Sequence, residues 1–211
     1  MDQAAAAREA DQKRTSRTGS QNLRRGSTFF NRAEVYRRKG LFRDAIVSYN
    51  RAVECSPSNA HFHFRLGESF AIIGLIQDAL DAMEMARSLT PTEGYYHFSI
   101  GNIYARAGKL HEAIAAMQQA TIMAPCNAYF SVRLGILCLQ TSYLNEAAVA
   151  LRHAVFLQPN NASYHVLLGD AYANLGFERE ALKHYREAGR LDPYDTQYVE
   201  QVRRIISGEL I

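Results

Sequence analysis

Seven histidines and three cysteines are the residues best suited to chemistry in this chain, and metal binding is the first chemistry to test. His61 and His63 alternate in sequence, but side chains two apart on a helix point to different faces. His63, His97 and His165 recur at multiples of 34 residues, the behaviour of a packing position that takes the place of a larger aromatic. Four ligands at zinc spacing do not occur. Cys55, Cys126 and Cys138 are too widely spaced for a zinc knuckle, and an odd set is no disulfide framework; such usage fits a reducing compartment. No glycine-rich phosphate loop, nucleophile elbow or His-Glu-x-x-His motif is present. Glu178 and Glu180 read as the solvated start of a helix. The expectation is no enzyme, no metal and no cofactor.

The elements around these residues follow from a repeat. All five prolines, Pro57, Pro91, Pro125, Pro159 and Pro193, are 34 residues apart. Small residues keep the same phase: Ala33, Gly67, Gly101, Gly135 and Gly169 in one series, and Ala45, Ala79, Ala113, Ala147 and Ala181 in another. Large residues fall between them, as in Tyr49, Met83, Met117, Leu151 and Tyr185. Gly40, Gly74, Gly108 and Gly176 mark a turn, with Ser142 in the fourth unit. Apolar spacings of three, four and seven place these positions on one helical face. Glycine ends a first helix, a second amphipathic helix follows, and proline ends the unit. Such a hairpin cannot bury its apolar face alone, so neighbours must stack.

The unit GYYHFSIGNIYARAGKLHEAIAAMQQATIMAPC, beginning at Gly94, closely resembles the tetratricopeptide repeat. The resemblance implies an all-α, right-handed solenoid of five helix-turn-helix hairpins: residues 26–59, 60–93, 94–127, 128–161 and 162–195. Residues 1–25 read as a basic disordered tail. Residues 196–211, with Tyr198, Val202, Ile205 and Ile206 on one face, resemble the capping helix that closes such arrays. The fourth unit departs most from the pattern, with Cys138 for tyrosine and Ser142 for glycine.

The family lines a concave groove with the first helix of each hairpin, and that implies where a partner would lie. The expected groove residues are Phe30, Phe64, Phe98, Val132, Tyr95, Tyr129, Asn102, Arg133, Ile136 and Leu139. Their apolar, aromatic character suits an amphipathic helix or an extended peptide with apolar anchors. The bland alternative is that the phenylalanines only pack between hairpins. The chaperone-binding subclass holds a terminal carboxylate with a Lys, Asn, Asn, Lys, Arg clamp. No three-unit window here carries it: in one Asn102 matches but Arg133, Ser163 and Leu167 replace the other members compared, and in another only Arg133 fits.

Net charge is +3, all of it in the first 25 residues, so the repeats are neutral and argue against nucleic acid. RNA-binding arrays favour a 35-residue period and a basic groove. No run is long and apolar enough to span a membrane, and the N-terminus lacks a secretory core. The expected location is cytoplasmic, with an organelle transit peptide left open. Ser27, in the run Arg24-Arg25-Gly26-Ser27, is a candidate phosphorylation site, or else it or Thr28 is an ordinary N-cap. The function expected is a protein-protein interaction scaffold or assembly factor. The aromatic-rich units and the ending LDPYDTQYVEQVRR also resemble repeat proteins of photosynthetic bacteria, some of which assist membrane-complex assembly. Pairing of two copies into a homodimer is a further reading.

Overall fold

The computed structural model describes residues 21–194. The capping helix expected over 196–211 and the first 20 residues lie outside that range. Ten helices occur among the described residues: α1 over 21–38, α2 Phe42–Cys55, α3 Ala60–Ile72, α4 Ile76–Leu89, α5 Gly94–Arg106, α6 Leu110–Met123, α7 Ala128–Gln140, α8 Leu144–Leu157, α9 Ala162–Asn174 and α10 Glu178–Leu191. No strand is found among those residues. The chain divides into two compact units, Met1–Ile103 and Tyr104–Ile211.

Each hairpin turns where the backbone takes a left-handed conformation. Gly40, Gly74, Gly108 and Gly176 have φ of 75–85°, and a Cβ at any of them would meet nothing within 4 Å. What selects glycine is therefore the dihedral and not crowding. Ser142 takes the same place at φ 60°. The residue after each turn donates its N–H five residues back at 2.9–3.0 Å: Leu41 to Tyr36, Leu75 to Phe70, Lys109 to Tyr104, Tyr143 to Cys138 and Phe177 to Tyr172. This Schellman closure satisfies carbonyls that a helix end otherwise leaves open.

The first helices of later hairpins are capped by side chains. Asn59 accepts from the N–H groups of His61 and Phe62, Asn127 from Tyr129, and Asn161 from Tyr164. Glu93 serves Tyr95 in the same way at 3.3 Å. Helix α1 departs from the expected boundary. It already includes residues 21–25, and Ser27 and Thr28 lie within it, donating to the carbonyls of Leu23 and Arg24 at 3.0 Å. Neither residue is an N-cap; both bond back one turn along a helix under way.

The core is built from small residues facing large ones. Ala45, Ala79, Ala113, Ala147 and Ala181 are fully buried, as are Tyr49, Met83, Met117, Leu151 and Tyr185 to within a percent. A Cβ on Gly67 would stand 2.9 Å from Met83 Cγ, and on Gly135 2.5 Å from Leu151 Cγ. On Gly169 it would stand 2.5 Å from a ring carbon of Tyr185. Glycine here is a matter of space, in contrast to the turns.

Candidate interaction faces

In the first unit, the face of the first helices carries a run of rings. Phe30 lies 5.2 Å from His61 and stacks on Phe62 at 4.8 Å. His61 lies 6.4 Å from Phe64, Phe64 meets Tyr95 edge-on at 5.4 Å, and Tyr95 lies 6.0 Å from Phe98. These separations suit favourable aromatic pairing. The members differ in exposure. Phe64 and Phe98 are only 4% and 5% exposed, whereas Tyr95 is 45% exposed. His61 is exposed and Phe30 half-buried. Asn102 is half-buried further along α5. Phe64 and Phe98 thus form the floor, wedged under Tyr96 and Tyr95, and the rims belong to His61 and Tyr95.

A charged network borders this floor. Glu34 accepts from Arg37 at 2.9 Å and from the Tyr49 hydroxyl, and Arg65 Nε lies 3.5 Å from it. Arg65 also pairs with Glu68 at 2.7 Å. Burial alone would raise the Glu34 carboxyl; the hydrogen bonds from Arg37 and Tyr49, with the Arg65 charge, hold it below the usual carboxylate range. Although His61 reaches solvent, partial desolvation of its ring, which lies against Phe30 and Phe64, and the Arg65 guanidinium push the imidazole down. His61 is therefore a neutral ring at pH 7, suited to stacking and hydrogen bonding.

In the second unit, Tyr129 is 53% exposed on α7 and Val132 is buried beneath the same helix. Arg133, Ile136 and Leu139 are half-buried along it. Away from these residues, a cavity of about 460 Å³ opens among α6, α7 and α8, lined by Ile122, Ser131, Leu134, Val149 and His153 among others. Sequence reading did not single it out. Its signal lay in Ile122 and Val149, apolar residues on second helices that the structure leaves largely exposed.

Residues 1–207 match the family described as cilia and flagella-associated protein 70 C-terminal domain. The chain belongs to this family. Solved structures of like fold agree with a tetratricopeptide array. A MamA protein aligns with a TM-score of 0.72 at 22% identity, covering 82% of this chain and 94% of that one. MamA from Desulfovibrio magneticus RS-1 aligns with a TM-score of 0.70 at 18% identity, over 80% and 96%. YrrB, described as a TPR protein with an unusual peptide-binding site, aligns with a TM-score of 0.69 at 18% identity, over 83% and 90%. No curated protein matches the sequence.

Within this cilia and flagella-associated family fold, the histidines have structural partners. His63, His97 and His165 donate through Nε2 to the carbonyls of Pro57, Pro91 and Pro159 at 2.8, 3.1 and 2.9 Å. They tie each first helix to the loop that precedes it. The fourth unit has Ser131 at this position, which meets His153 Nδ1 at 2.9 Å. In the fifth unit His165 Nδ1 also faces His184 Nδ1 at 3.0 Å. Because His165 donates through Nε2, its Nδ1 accepts and His184 donates. Burial, His165 and Lys183 push the His184 imidazole down to about 4.

The tyrosines of the first and last units show another pairing missed in sequence. Tyr185 donates to Asp170 at 2.7 Å, as Tyr49 does to Glu34. The intervening units carry Met83, Met117 and Leu151, which offer no hydroxyl. The signal was the joint occurrence of tyrosine on the second helix with a carboxylate fifteen residues earlier. Among the described residues no three His, Cys, Asp or Glu side chains form a metal-binding group, and no helix there is long and apolar enough to cross a membrane. Cys55, Cys126 and Cys138 are free, and burial pushes the Cys138 thiol up to about 11, away from reactivity.

Proposed function

We propose that this chain is a non-enzymatic scaffold that holds an apolar or amphipathic segment of another protein against its first helices. The observation that carries this reading is the ring ladder of the first unit, with His61 and Tyr95 presented over a floor of Phe64 and Phe98. Exposed rings on a rigid buried base offer a partner contact area at low conformational cost. Tyr129, Arg133, Ile136 and Leu139 are a further proposed contact surface on α7. The family name attaches its namesake to cilia and flagella, so the proposed partner is a protein of those organelles. This is preferred to the alternative of photosynthetic-complex assembly, and the proposed location is the cytoplasm including that of the cilium.

The test is capture from lysate of ciliated cells by the wild-type chain and by a His61→Ser, Tyr95→Ser variant, with matched helicity confirmed by circular dichroism. Loss of a specific partner from the variant alone supports the site. Equal capture by both removes the ring ladder from the function and directs attention to the cavity around Val149.

A further inference from the structure

Positive charge is concentrated on one helix. Residues 21–39 carry Arg24, Arg25, Arg32, Arg37, Arg38 and Lys39 against Glu34 alone. Glu34 is turned inward and held by Arg37, Arg65 and Tyr49, so it does not answer the others. Residues 40–103 show the reverse balance, with Arg43, Arg51, Arg65 and Arg87 against seven acidic side chains. At 100° per residue, Arg24, Thr28, Asn31, Val35 and Arg38 project from one side of α1, flanked by Arg25, Arg32 and Lys39. Every one of these eight is exposed. Phe30 and Ala33 face the other way, into the core around Tyr49. Arg24, Arg25, Arg38 and Lys39 enter no ion pair among the described residues, whereas Arg32 lies over the Tyr36 ring at 5.5 Å.

We propose that this outer face of α1 is a docking surface for a short acidic segment of a partner protein, separate from the ring ladder. Charge complementarity selects the occupant. From Arg24 to Arg38 the face runs about 21 Å at 1.5 Å per residue. An acidic segment of that length meets basic side chains at both ends and no acidic one, with Thr28, Asn31 and Val35 as uncharged contacts between them. A longer polyanion such as nucleic acid runs on over the acidic remainder of the unit and is repelled. A membrane surface requires a face of large apolar residues, and the phenylalanines of α1 are committed to packing: Phe29 lies beneath Arg51 and Phe30 beneath Phe62. The first 20 residues are themselves net basic, with Arg8, Lys13, Arg14 and Arg17 against Asp2, Glu9 and Asp11.

The probe is a fluorescein-labelled deca-glutamate peptide, followed by anisotropy with the full chain at 50 mM salt. Saturable binding is expected, weakened at least tenfold by Arg24→Glu with Arg38→Glu and also by raising salt to 200 mM. Arg14→Glu with Arg17→Glu, and Arg152→Glu with Arg186→Glu, should each stay within twofold of wild type. Circular dichroism checks folding, and Arg24→Gln with Arg38→Gln provides the milder variant should charge reversal disturb the helix. Absence of binding overturns the proposal, as does a loss shared equally by the tail or second-unit variants. Tighter, variant-sensitive binding of a ten-nucleotide single strand or of phosphatidylserine vesicles overturns it in favour of a phosphate-bearing partner.

Discussion

At the scale of single residues, the repeat positions that look alike in sequence divide by what faces them. Gly135 is glycine because Leu151 fills the space a methyl would need. Gly135→Ala is expected to cost about 1–3 kcal/mol by overpacking, read as a lower urea midpoint, with partial recovery on adding Leu151→Val. A midpoint equal to wild type would mean the two helices separate at no cost. The His165–His184 contact gives a second prediction. His184 has a folded-state pKa near 4, below that of a free imidazole, so the unfolded chain binds the extra proton. Stability is therefore fully present above about pH 6.5 and falls as pH drops toward 4. Tenfold in proton affinity is worth about 1.4 kcal/mol, and the ring is only partly buried, so screening reduces the sum to about 1–2 kcal/mol. Lys183 and His165 oppose the charge, Glu187 favours it, and Tyr172 stacks on the ring at 5.6 Å. His184→Phe should flatten this pH dependence of the unfolding free energy; an unchanged slope would assign it to other groups.

At the scale of elements, the hairpin turns are interchangeable in geometry but not in sequence. Ser142 adopts a conformation that costs an ordinary residue about 1 kcal/mol. Ser142→Gly is expected to raise stability by up to ~1 kcal/mol, less what glycine adds to unfolded-chain entropy. Gly74→Ala, with open space around it but φ of 85°, is expected to lower stability by a similar amount. Thermal or urea unfolding of the two variants side by side separates the dihedral effect from crowding. Helix α1 carries a prediction of its own: phosphorylation at the candidate site Ser27, or at Thr28 beside it, would set negative charge within the basic face. Thr28→Glu should weaken binding of the acidic peptide several-fold without loss of helicity.

At the scale of the whole molecule, the proposed contact role and the stability of the repeats draw on neighbouring side chains. His63, His97 and His165 hold first helices to the loops before them, and Tyr185 holds one helix to another through Asp170. The two components of the ring ladder should separate experimentally. Tyr95→Ser removes a rim and is expected to weaken partner binding about tenfold or more while leaving the unfolding midpoint nearly unchanged. Phe64→Ser removes the floor and is expected to cost about 3–5 kcal/mol of stability. Calorimetric titration with the captured partner, beside urea unfolding, reads both quantities. Equal stability losses in the two variants would make Tyr95 a packing residue.

The period and the alternation of small and large side chains were readable in the chain, because each is a local spacing repeated five times and every copy supports the others. The family resemblance followed from the same repetition. Less was readable wherever a side chain's role depends on the adjacent hairpin. Phe64 belongs to one ladder with Phe30, yet packing of the next first helix brings Tyr96 over it and leaves Tyr95 outside. Helix α1 extends before Gly26 without an apolar period to announce it, since its outer side meets solvent and Gly26 itself is packed against Ser56 and Phe62. The histidine-to-proline ties and the tyrosine-carboxylate pairs depend on how far one element is rotated against another. That rotation is set by the sum of many contacts across a hairpin, and no single spacing in the chain encodes it.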